Sequence, residues 1–222
     1  MTGNRLAPMD RRPLDVFQPG LIRGSQKLPF DPVKAYFYVE HPKEGWRVYL
    51  RSACFIHERP SEGEELDIKR FIVVKRRGAA LTDKAWEPPK GQMEGKDGLR
   101  DPKRSIMSLL RENVKREVAE EARVKQLTHL NHTGVVFQGR EDDYPPNTYF
   151  QYHVFNAVVS KSEWMHASAE LEWCREHPLA FDRMKRDKKE KDMIQWYVPT
   201  EHKMMGRWSG SIVAMYLKHM FY

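Results

Sequence analysis

Three glutamates at helical spacing are the residues of this sequence best suited to chemistry. Glu117, Glu120 and Glu121 stand at i, i+3 and i+4, and at about 100° per residue they share one arc of a helix. Like charges at this spacing destabilise an isolated helix. A hard divalent cation such as Mg²⁺ or Mn²⁺, bound through carboxylate oxygens, would offset that repulsion. The pattern therefore predicts a metal-binding helix face or, alternatively, an ordinary solvated acidic face.

A turn upstream of these glutamates could complete a metal site. The turn runs Trp86-Glu87-Pro88-Pro89-Lys90-Gly91. Its two prolines make it rigid, and Gly91 permits close approach of the backbone and exposes a carbonyl oxygen as a further hard ligand. We therefore add the Gly91 carbonyl to the candidate ligands.

Cationic and aromatic residues near this turn are candidates for substrate binding. Lys and Arg side chains are common donors to phosphate oxygens, and an aromatic ring could stack on a base, although it could equally pack in the core or at a rim. The candidates are Lys75, Arg76, Trp86, Lys90 and Tyr149.

The elements that must position these residues follow from hydrophobic periodicity. Apolar, β-branched and aromatic runs predict strands, and residues repeating every four positions predict helices. Asp101 is the predicted N-cap of the acidic helix, with Pro102 at its first position. We predict strands at about 36–39, 48–56, 71–74, 134–138, 149–159 and 194–198, and helices at about 101–124 and 209–221.

Two segments give weaker signals. Residues 1 to about 32 are rich in Pro, Gly and Arg and predict an irregular arm that drapes over a domain or stays loose. Residues 160–192 are polar, and their run 183–191 mixes six cations with two acidic residues. A solvated helix or loop is the ordinary interpretation of such a run.

Composition limits the class of protein. The 222 residues are 40% hydrophobic and carry a net charge of +7, which favours one principal domain and a polyanionic partner such as a phosphate, a nucleotide or RNA. No apolar stretch has the length of a membrane span, and no secretory signal is recognisable. The two cysteines lack the spacing of a zinc or disulfide framework. We predict a cytoplasmic location, with mitochondria and the nucleus left open, and no membrane partner.

The acidic helix and its upstream turn together resemble the signature of Nudix hydrolases. In that signature a Gly precedes a Glu, and an Arg-Glu-apolar-x-Glu-Glu segment follows. Here the matching residues are Gly91, Arg116, Glu117, Val118, Glu120, Glu121 and Val124. The Trp86-to-Gly91 lead-in is similar to that of Nudix enzymes acting on diadenosine tetraphosphate, diphosphoinositol phosphates or capped RNA.

This sequence departs from the Nudix signature at three points. Asp97 stands where the family has its first Glu, and Arg123 stands where it has a late Gly, which would remove the left-handed residue that ends the helix. Gly91 and Glu117 lie 26 positions apart, whereas the signature separates them by 15, so 11 residues are inserted. The three helix carboxylates remain, and we interpret the metal site as intact.

The resemblance implies an α/β fold, namely a Nudix-type α/β/α sandwich with a mixed β-sheet. It divides the chain into an N-terminal extension and hairpin arm, 1–45, and a Nudix domain, 46–222. It also implies that Glu117, Glu120, Glu121 and the Gly91 carbonyl bind Mg²⁺ or Mn²⁺ and that Arg116 pairs with acidic residues. The general base stays open among Glu117, Glu121, Glu141, Asp142 and Asp143.

The function implied is metal-dependent hydrolysis of a phosphoanhydride bond in a nucleotide-derived or polyphosphorylated small molecule. One alternative is an mRNA-decapping Nudix enzyme, favoured by the positive charge and the basic run. The other is a noncatalytic Nudix-fold subunit that binds RNA or takes part in an assembly, favoured by the basic arm, the insertion and Arg123.

Overall fold

The computed structural model describes residues 12–220. Residues 1–11 of the predicted arm, and the last residue of the predicted C-terminal helix, Phe221, lie outside the described part of the chain. The strands are β1 (Ile22–Leu28), β2 (Asp31–Glu40), β3 (Arg47–Glu58), β4 (Ile72–Arg76), β5 (Trp86–Glu87), β6 (Lys90–Gln92), β7 (Thr128–Gly139), β8 (Thr148–Val159) and β9 (Lys191–Trp196). The helices are α1 (Gly95–Leu99), α2 (Ile106–Glu121), α3 (Lys161–Glu176), α4 (Pro178–Asp182) and α5 (Gly206–Met220), with a 3₁₀ turn at Arg186–Lys189.

The strands form two sheets. The larger has the order β1-β2-β3-β8-β7, with β6 also paired to β3. Strands β3 and β8 run parallel along their whole lengths, from the Arg47–Thr148 pair to the Glu58–Val159 pair, and the other neighbours in this sheet are antiparallel. The smaller sheet has the order β5-β4-β9. The large sheet is therefore mixed.

Helices cover both faces of the central strand β3. Alternate side chains of a strand point to opposite faces, and Leu50 packs in one cluster with the buried Val114 and Val118 of α2. Phe55 packs in another cluster with Ile212 and Tyr216 of α5. This arrangement confirms the predicted α/β/α sandwich with a mixed sheet. Within residues 12–220, no helix combines the length and apolar character needed to cross a membrane.

The acidic helix α2 is shorter than predicted at both ends. It begins at Ile106, because Ser105 is the N-cap and its hydroxyl accepts a hydrogen bond from the Ser108 backbone N–H at 3.2 Å. The prediction of Asp101 as N-cap was wrong, since the Ser105 hydroxyl is the side chain that satisfies a free N–H group of the first turn. The inserted residues form the end of α1, a turn and the start of α2.

Arg123 keeps the left-handed conformation that its replacement of Gly was expected to abolish. Its φ is 61°, a region that non-glycine residues adopt only at a cost. Its guanidinium donates to the carbonyls of Glu120, at 2.8 Å, and Lys188. These bonds offset the backbone strain and join the end of α2 to the 3₁₀ turn.

The predicted N-terminal arm is partly sheet. Residues 22–28 and 31–40 form a hairpin, and Val39 pairs with Val48 of β3. The irregular segment before it lies on the β7–β8 edge, where Leu14 exchanges hydrogen bonds with Gln138 and Gln151. The boundary between residues 45 and 46 remains a prediction, and in the structure β1 and β2 continue the sheet of β3.

A buried histidine beneath this segment makes stability sensitive to acid. His153 is 1% exposed, and the Phe17 ring packs edge-on against it at 5.5 Å. Burial, together with the neighbouring His132, lowers the pKa of His153 to about 3. Between about pH 3 and pH 6.5, the His153 ring is therefore neutral in the folded protein but protonated in the unfolded chain.

We expect this histidine to cost stability as the pH falls below about 6.5, its ordinary pKa. The free energy of unfolding, measured by urea denaturation at pH 7, 6 and 5, should fall more steeply in the wild type than in His153→Gln. The difference should approach 1.4 kcal/mol per pH unit, the value for one proton. Parallel curves for the two proteins would show that His153 does not contribute.

Candidate active site

A cavity of about 760 Å³ lies beside the C-terminal half of α2. It is bounded also by β6, by the β1–β2 turn and by the segment that leads into β9. Its volume suits a nucleotide-sized ligand. One part of its wall is acidic and is formed by Glu87, Glu94, Glu117, Glu120 and Glu121.

Packing of α2 on β3 determines which side of the helix reaches the cavity. The apolar stripe of the helix is buried against β3, and Asn113 Nδ2 donates to Ser52 Oγ at 2.6 Å. Because Glu117, Glu120 and Glu121 lie on one arc away from this stripe, all three line the cavity. The structure therefore brings the three predicted carboxylates together on one wall.

Gly91 lies directly against the carboxylate of Glu117. A methyl group added at Gly91 would come within 1.9 Å of Glu117 Cδ and 2.1 Å of its Oε2. These distances are far below van der Waals contact, so the absence of a side chain at Gly91 is what lets this carboxylate reach the backbone. The predicted loop and the predicted helix therefore meet at this point.

Arg116 binds the acidic residues of α1 and α2 together. Its guanidinium forms ion pairs with Glu117 at 2.7 Å and Glu120 at 2.9 Å, and its Nε lies 3.5 Å from Asp97 Oδ2. It also lies 3.8 Å from Glu94, whose side chain is 7% exposed. Arg116 thus neutralises part of the acidic wall and holds α1 against α2.

Glu121 is bonded to residues of two other elements, to the backbone of one and to the buried ammonium of the other. Its Oε2 accepts the Lys90 backbone N–H at 2.8 Å, and its Oε1 lies 3.1 Å from the Lys191 ammonium. Lys191 also pairs with Glu87, which in turn pairs with the Lys90 ammonium at 2.8 Å. Two lysines and two glutamates therefore form a largely buried network within the cavity wall.

Burial dominates the ionisation of the helix carboxylates. It raises the pKa of Glu117 to about 8, with Arg116 opposing the rise and the charges of Glu121 and Glu120 adding to it. Burial also raises the pKa of Glu121, while the Lys191 ammonium opposes this change. Carboxylates with these surroundings favour a proton or a cation close by.

The donor set suits a hard divalent cation in its chemistry. Carboxylate oxygens and the Gly91 carbonyl are the ligands that Mg²⁺ and Mn²⁺ prefer. As arranged within residues 12–220, however, no three His, Cys, Asp or Glu side chains are grouped closely enough to hold an ion. Arg116 and Lys191 neutralise the carboxylates in this structure.

Of the predicted substrate-binding residues, Arg76 and Lys90 line the cavity. Lys75 does not, because its ammonium is buried and pairs with Asp192 at 2.8 Å. Trp86 is 1% exposed, and its indole N–H donates to the Leu81 carbonyl at 3.2 Å. Both side chains are thus used inside the fold in this structure, and their assignment to substrate binding stays a prediction.

The remaining candidates lie near β8. Tyr149 is half-buried and is not among the cavity-lining residues, and the Arg140 guanidinium lies 5.9 Å from its ring centroid. Of the loop carboxylates proposed as general base, Glu141 lines the cavity and lies 3.5 Å from Arg51. Asp142 and Asp143 are exposed and are not part of the cavity wall.

Sequence reasoning missed the side of the cavity that faces α2. Lys34 and Asp31, at the β1–β2 turn, pair with Asp187 at 2.6 Å and Arg186 at 3.2 Å. Lys34 also pairs with Glu94 at 2.9 Å. Asp31 and Lys34 belong to the predicted N-terminal extension and hairpin arm, 1–45, and their partners at 186 and 187 belong to the basic run. No local pattern indicates that these two segments meet.

No protein-family model matches the chain, and no curated protein matches it. Solved structures do show similarity. A Nudix hydrolase from Nitrosomonas europaea is 14% identical, over 78% of this chain and 88% of that chain, with a TM-score of 0.43. The Nudix domain of Shewanella oneidensis NrtR, complexed with ADP-ribose, is 11% identical over 82% and 94%, with a TM-score of 0.44.

A third similar structure is a bifunctional NMN adenylyltransferase/ADP-ribose pyrophosphatase from Francisella tularensis, complexed with AMP and a manganese ion. It is 11% identical, over 77% of this chain and 41% of that chain, with a TM-score of 0.36. The chain resembles Nudix proteins in its motif, and it has the α/β/α layering that the resemblance implied.

Proposed function

We propose that this chain is a Nudix-type pyrophosphohydrolase that cleaves a phosphoanhydride bond in a nucleotide-derived or polyphosphorylated substrate, using Mg²⁺ or Mn²⁺. The observation that carries the proposal is the contact between Gly91 and the buried Glu117 carboxylate, with Glu120 and Glu121 on the same cavity wall. Burying several like charges is costly unless a cation compensates them.

The chain's own residues supply two further requirements of such a reaction. Arg51, Arg76 and Arg186 line the cavity, and guanidinium groups bind phosphate oxygens with good geometry. Glu141, beside Arg51, is a carboxylate that could accept a proton from an attacking water. Together they support a pocket that binds a charged diphosphate and hydrolyses it.

The metal would be held by Glu117, Glu120, Glu121 and the Gly91 carbonyl. When bound, it would neutralise phosphate charge and favour attack by water. All four ligands are implied by the resemblance. The donor chemistry of the acidic wall supports Glu117, Glu120 and the Gly91 carbonyl, whereas Glu121 already pairs with the Lys191 ammonium.

Product analysis tests the proposal directly. Metal-depleted protein would be supplied with Mg²⁺ or Mn²⁺ and offered ADP-ribose, dinucleoside polyphosphates, nucleoside triphosphates, an inositol pyrophosphate and capped RNA, with products identified by mass. We expect metal-dependent cleavage at a phosphoanhydride bond of at least one substrate. The absence of any cleavage with either ion would favour the noncatalytic Nudix-fold subunit.

The basic run that favoured the RNA alternative is partly engaged inside the protein. Arg186 and Asp187 of the basic run are paired with the β1–β2 turn, and Lys191 is buried. A long polyanion needs free cations along an extended track, and these side chains are already engaged at the cavity. A small phosphorylated substrate therefore remains our proposal.

A further inference from the structure

Lys191 is the residue whose position is least expected from the sequence. It is the last member of the basic run and the first residue of β9. Its side chain is only 5% exposed, and its ammonium lies between Glu121 and Glu87, whose side chains are 6% and 1% exposed. A buried ammonium between two buried carboxylates is a fixed positive charge at the edge of the acidic wall.

Both carboxylate oxygens of Glu121 already have partners from the protein. Oε2 accepts the Lys90 N–H and Oε1 faces the Lys191 ammonium. Any further cation on this carboxylate would lie beside that ammonium and be repelled by it. Glu121 is therefore poorly placed to hold a divalent ion while Lys191 remains where it is.

Glu117 and Glu120 differ in this respect. Their charged partner is Arg116, whose side chain is 24% exposed and borders the cavity. Such a side chain can turn toward solvent when a stronger cation arrives, whereas Lys191 is enclosed. The acidic wall thus has an exchangeable counter-ion at one end and a fixed one at the other.

The anchoring of Lys191 explains why it would not be displaced. Glu87 holds it from the side opposite Glu121, and Ser209 Oγ donates to the other Glu87 oxygen at 3.0 Å. Releasing Lys191 would leave Glu87 with fewer partners in a buried position, which is unfavourable.

We propose that the Lys191 ammonium is a built-in cation of the candidate site, which takes the place of a divalent ion at Glu121 and confines metal binding to Glu117 and Glu120. This inference rests on the proposed function, because it concerns the same acidic wall. It makes Lys191 a positioning residue that determines how many ions the wall accepts.

Counting bound Mn²⁺ tests the inference without any turnover. Metal-depleted wild type, Lys191→Met and Lys191→Arg would be titrated with Mn²⁺ in the absence of substrate, with free ion followed by electron paramagnetic resonance. We expect Lys191→Met to bind one more ion per chain than wild type, because Glu121 is freed. Lys191→Arg keeps the charge and should bind the wild-type number.

Lys75→Met is the matched control. Lys75 is another buried lysine, paired with Asp192 of β9 at 2.8 Å but not lining the cavity. Its loss disturbs the small sheet in a similar way, and the ion count should stay at the wild-type value. An extra ion in Lys75→Met as well would overturn the inference.

A second comparison applies even if Lys191→Met does not fold. In the wild-type background Glu120→Gln should weaken Mn²⁺ binding by about tenfold or more, the scale for loss of a group at a metal site. Glu121→Gln should change the dissociation constant far less. Equal weakening by the two variants would overturn the inference, because Glu121 would then be an ordinary ligand.

The result also separates this inference from the proposed function. If wild type binds no ion and Lys191→Met binds one, Lys191 is a substitute cation and the metal-dependent function is wrong. If the two proteins bind the same number of ions, whatever that number is, the inference about Lys191 is wrong and the proposed function is judged by its own substrate panel.

Discussion

Glu117→Gln is expected to lower kcat by about 100-fold or more on whichever substrate the chain hydrolyses, with little loss of stability. Changes around a bound metal typically cost 10- to 100-fold, and Glu117 combines contact with Gly91 and a position on the cavity wall. The amide keeps the size of the side chain and removes its charge. Steady-state kinetics at saturating Mg²⁺ or Mn²⁺ measures the effect.

The thermal stability of Glu117→Gln should not fall with its activity and should even rise at high pH. Burial holds the pKa of Glu117 near 8, above its ordinary value, so the folded protein loses stability as the pH rises from about 4.5 through 8. At pH 9 and without metal, the amide avoids this cost. The melting temperature of Glu117→Gln should therefore equal or exceed that of wild type.

Glu112→Gln is the control on the same helix. Glu112 is paired with Arg104 and does not line this cavity, so its kinetics should match wild type. Near-wild-type activity in Glu117→Gln would reject the assignment of the active site, and a large loss in Glu112→Gln would show that the helix as a whole is sensitive to charge.

The sequence was most informative where a periodic pattern is sustained. The strands predicted at 48–56 and 149–159 fall inside β3 and β8. Both are long, mostly apolar and mostly buried runs. The helix predicted at about 101–124 contains α2, whose apolar residues repeat every four positions. Sustained periodicity reflects burial, and burial is what determines these elements.

The ends of α2 were harder to predict, because more than one nearby residue could cap the helix. Asp101 and Ser105 both have N-cap side chains, and Ser105 is the one that accepts a bond from the helix. Arg123 takes a left-handed conformation through bonds to residues far along the chain. The first is a choice between two residues that can each cap a helix, and the second depends on a contact with Lys188, 65 positions along the chain.

The candidate site was predicted in its helix and loop and missed in its surroundings. Glu117, Glu120, Glu121 and Gly91 were predicted because the resemblance rests on them, and in the structure they line one cavity. Lys34 and Asp187 meet across the cavity although 153 residues separate them, and Lys191 is buried although the run that contains it reads as solvent-exposed. Charge alone indicates neither burial nor pairing, which is also why the buried ion pair of Lys75 with Asp192 could not be foreseen.

Glu87 is a buried residue whose substitution should be strongly destabilising. Its side chain is 1% exposed and pairs with the ammonium groups of Lys90, at 2.8 Å, and Lys191. We expect Glu87→Gln to reduce the free energy of unfolding by about 3–5 kcal/mol, the range for breaking a buried ion pair from one side. The reason is that one ammonium loses its carboxylate partner and the other keeps only Glu121.

Urea denaturation of metal-depleted protein measures this loss, with an unchanged slope indicating that the same surface is exposed on unfolding. Glu58→Gln is the matched control, because Glu58 forms an ion pair with Arg70 at 3.1 Å in which both partners are at least one third exposed. Such surface pairs contribute about 0–1 kcal/mol. If Glu87→Gln were no more destabilising than Glu58→Gln, Glu87 would not be holding the two lysines, and Lys191 would lose the anchor that makes it a fixed charge.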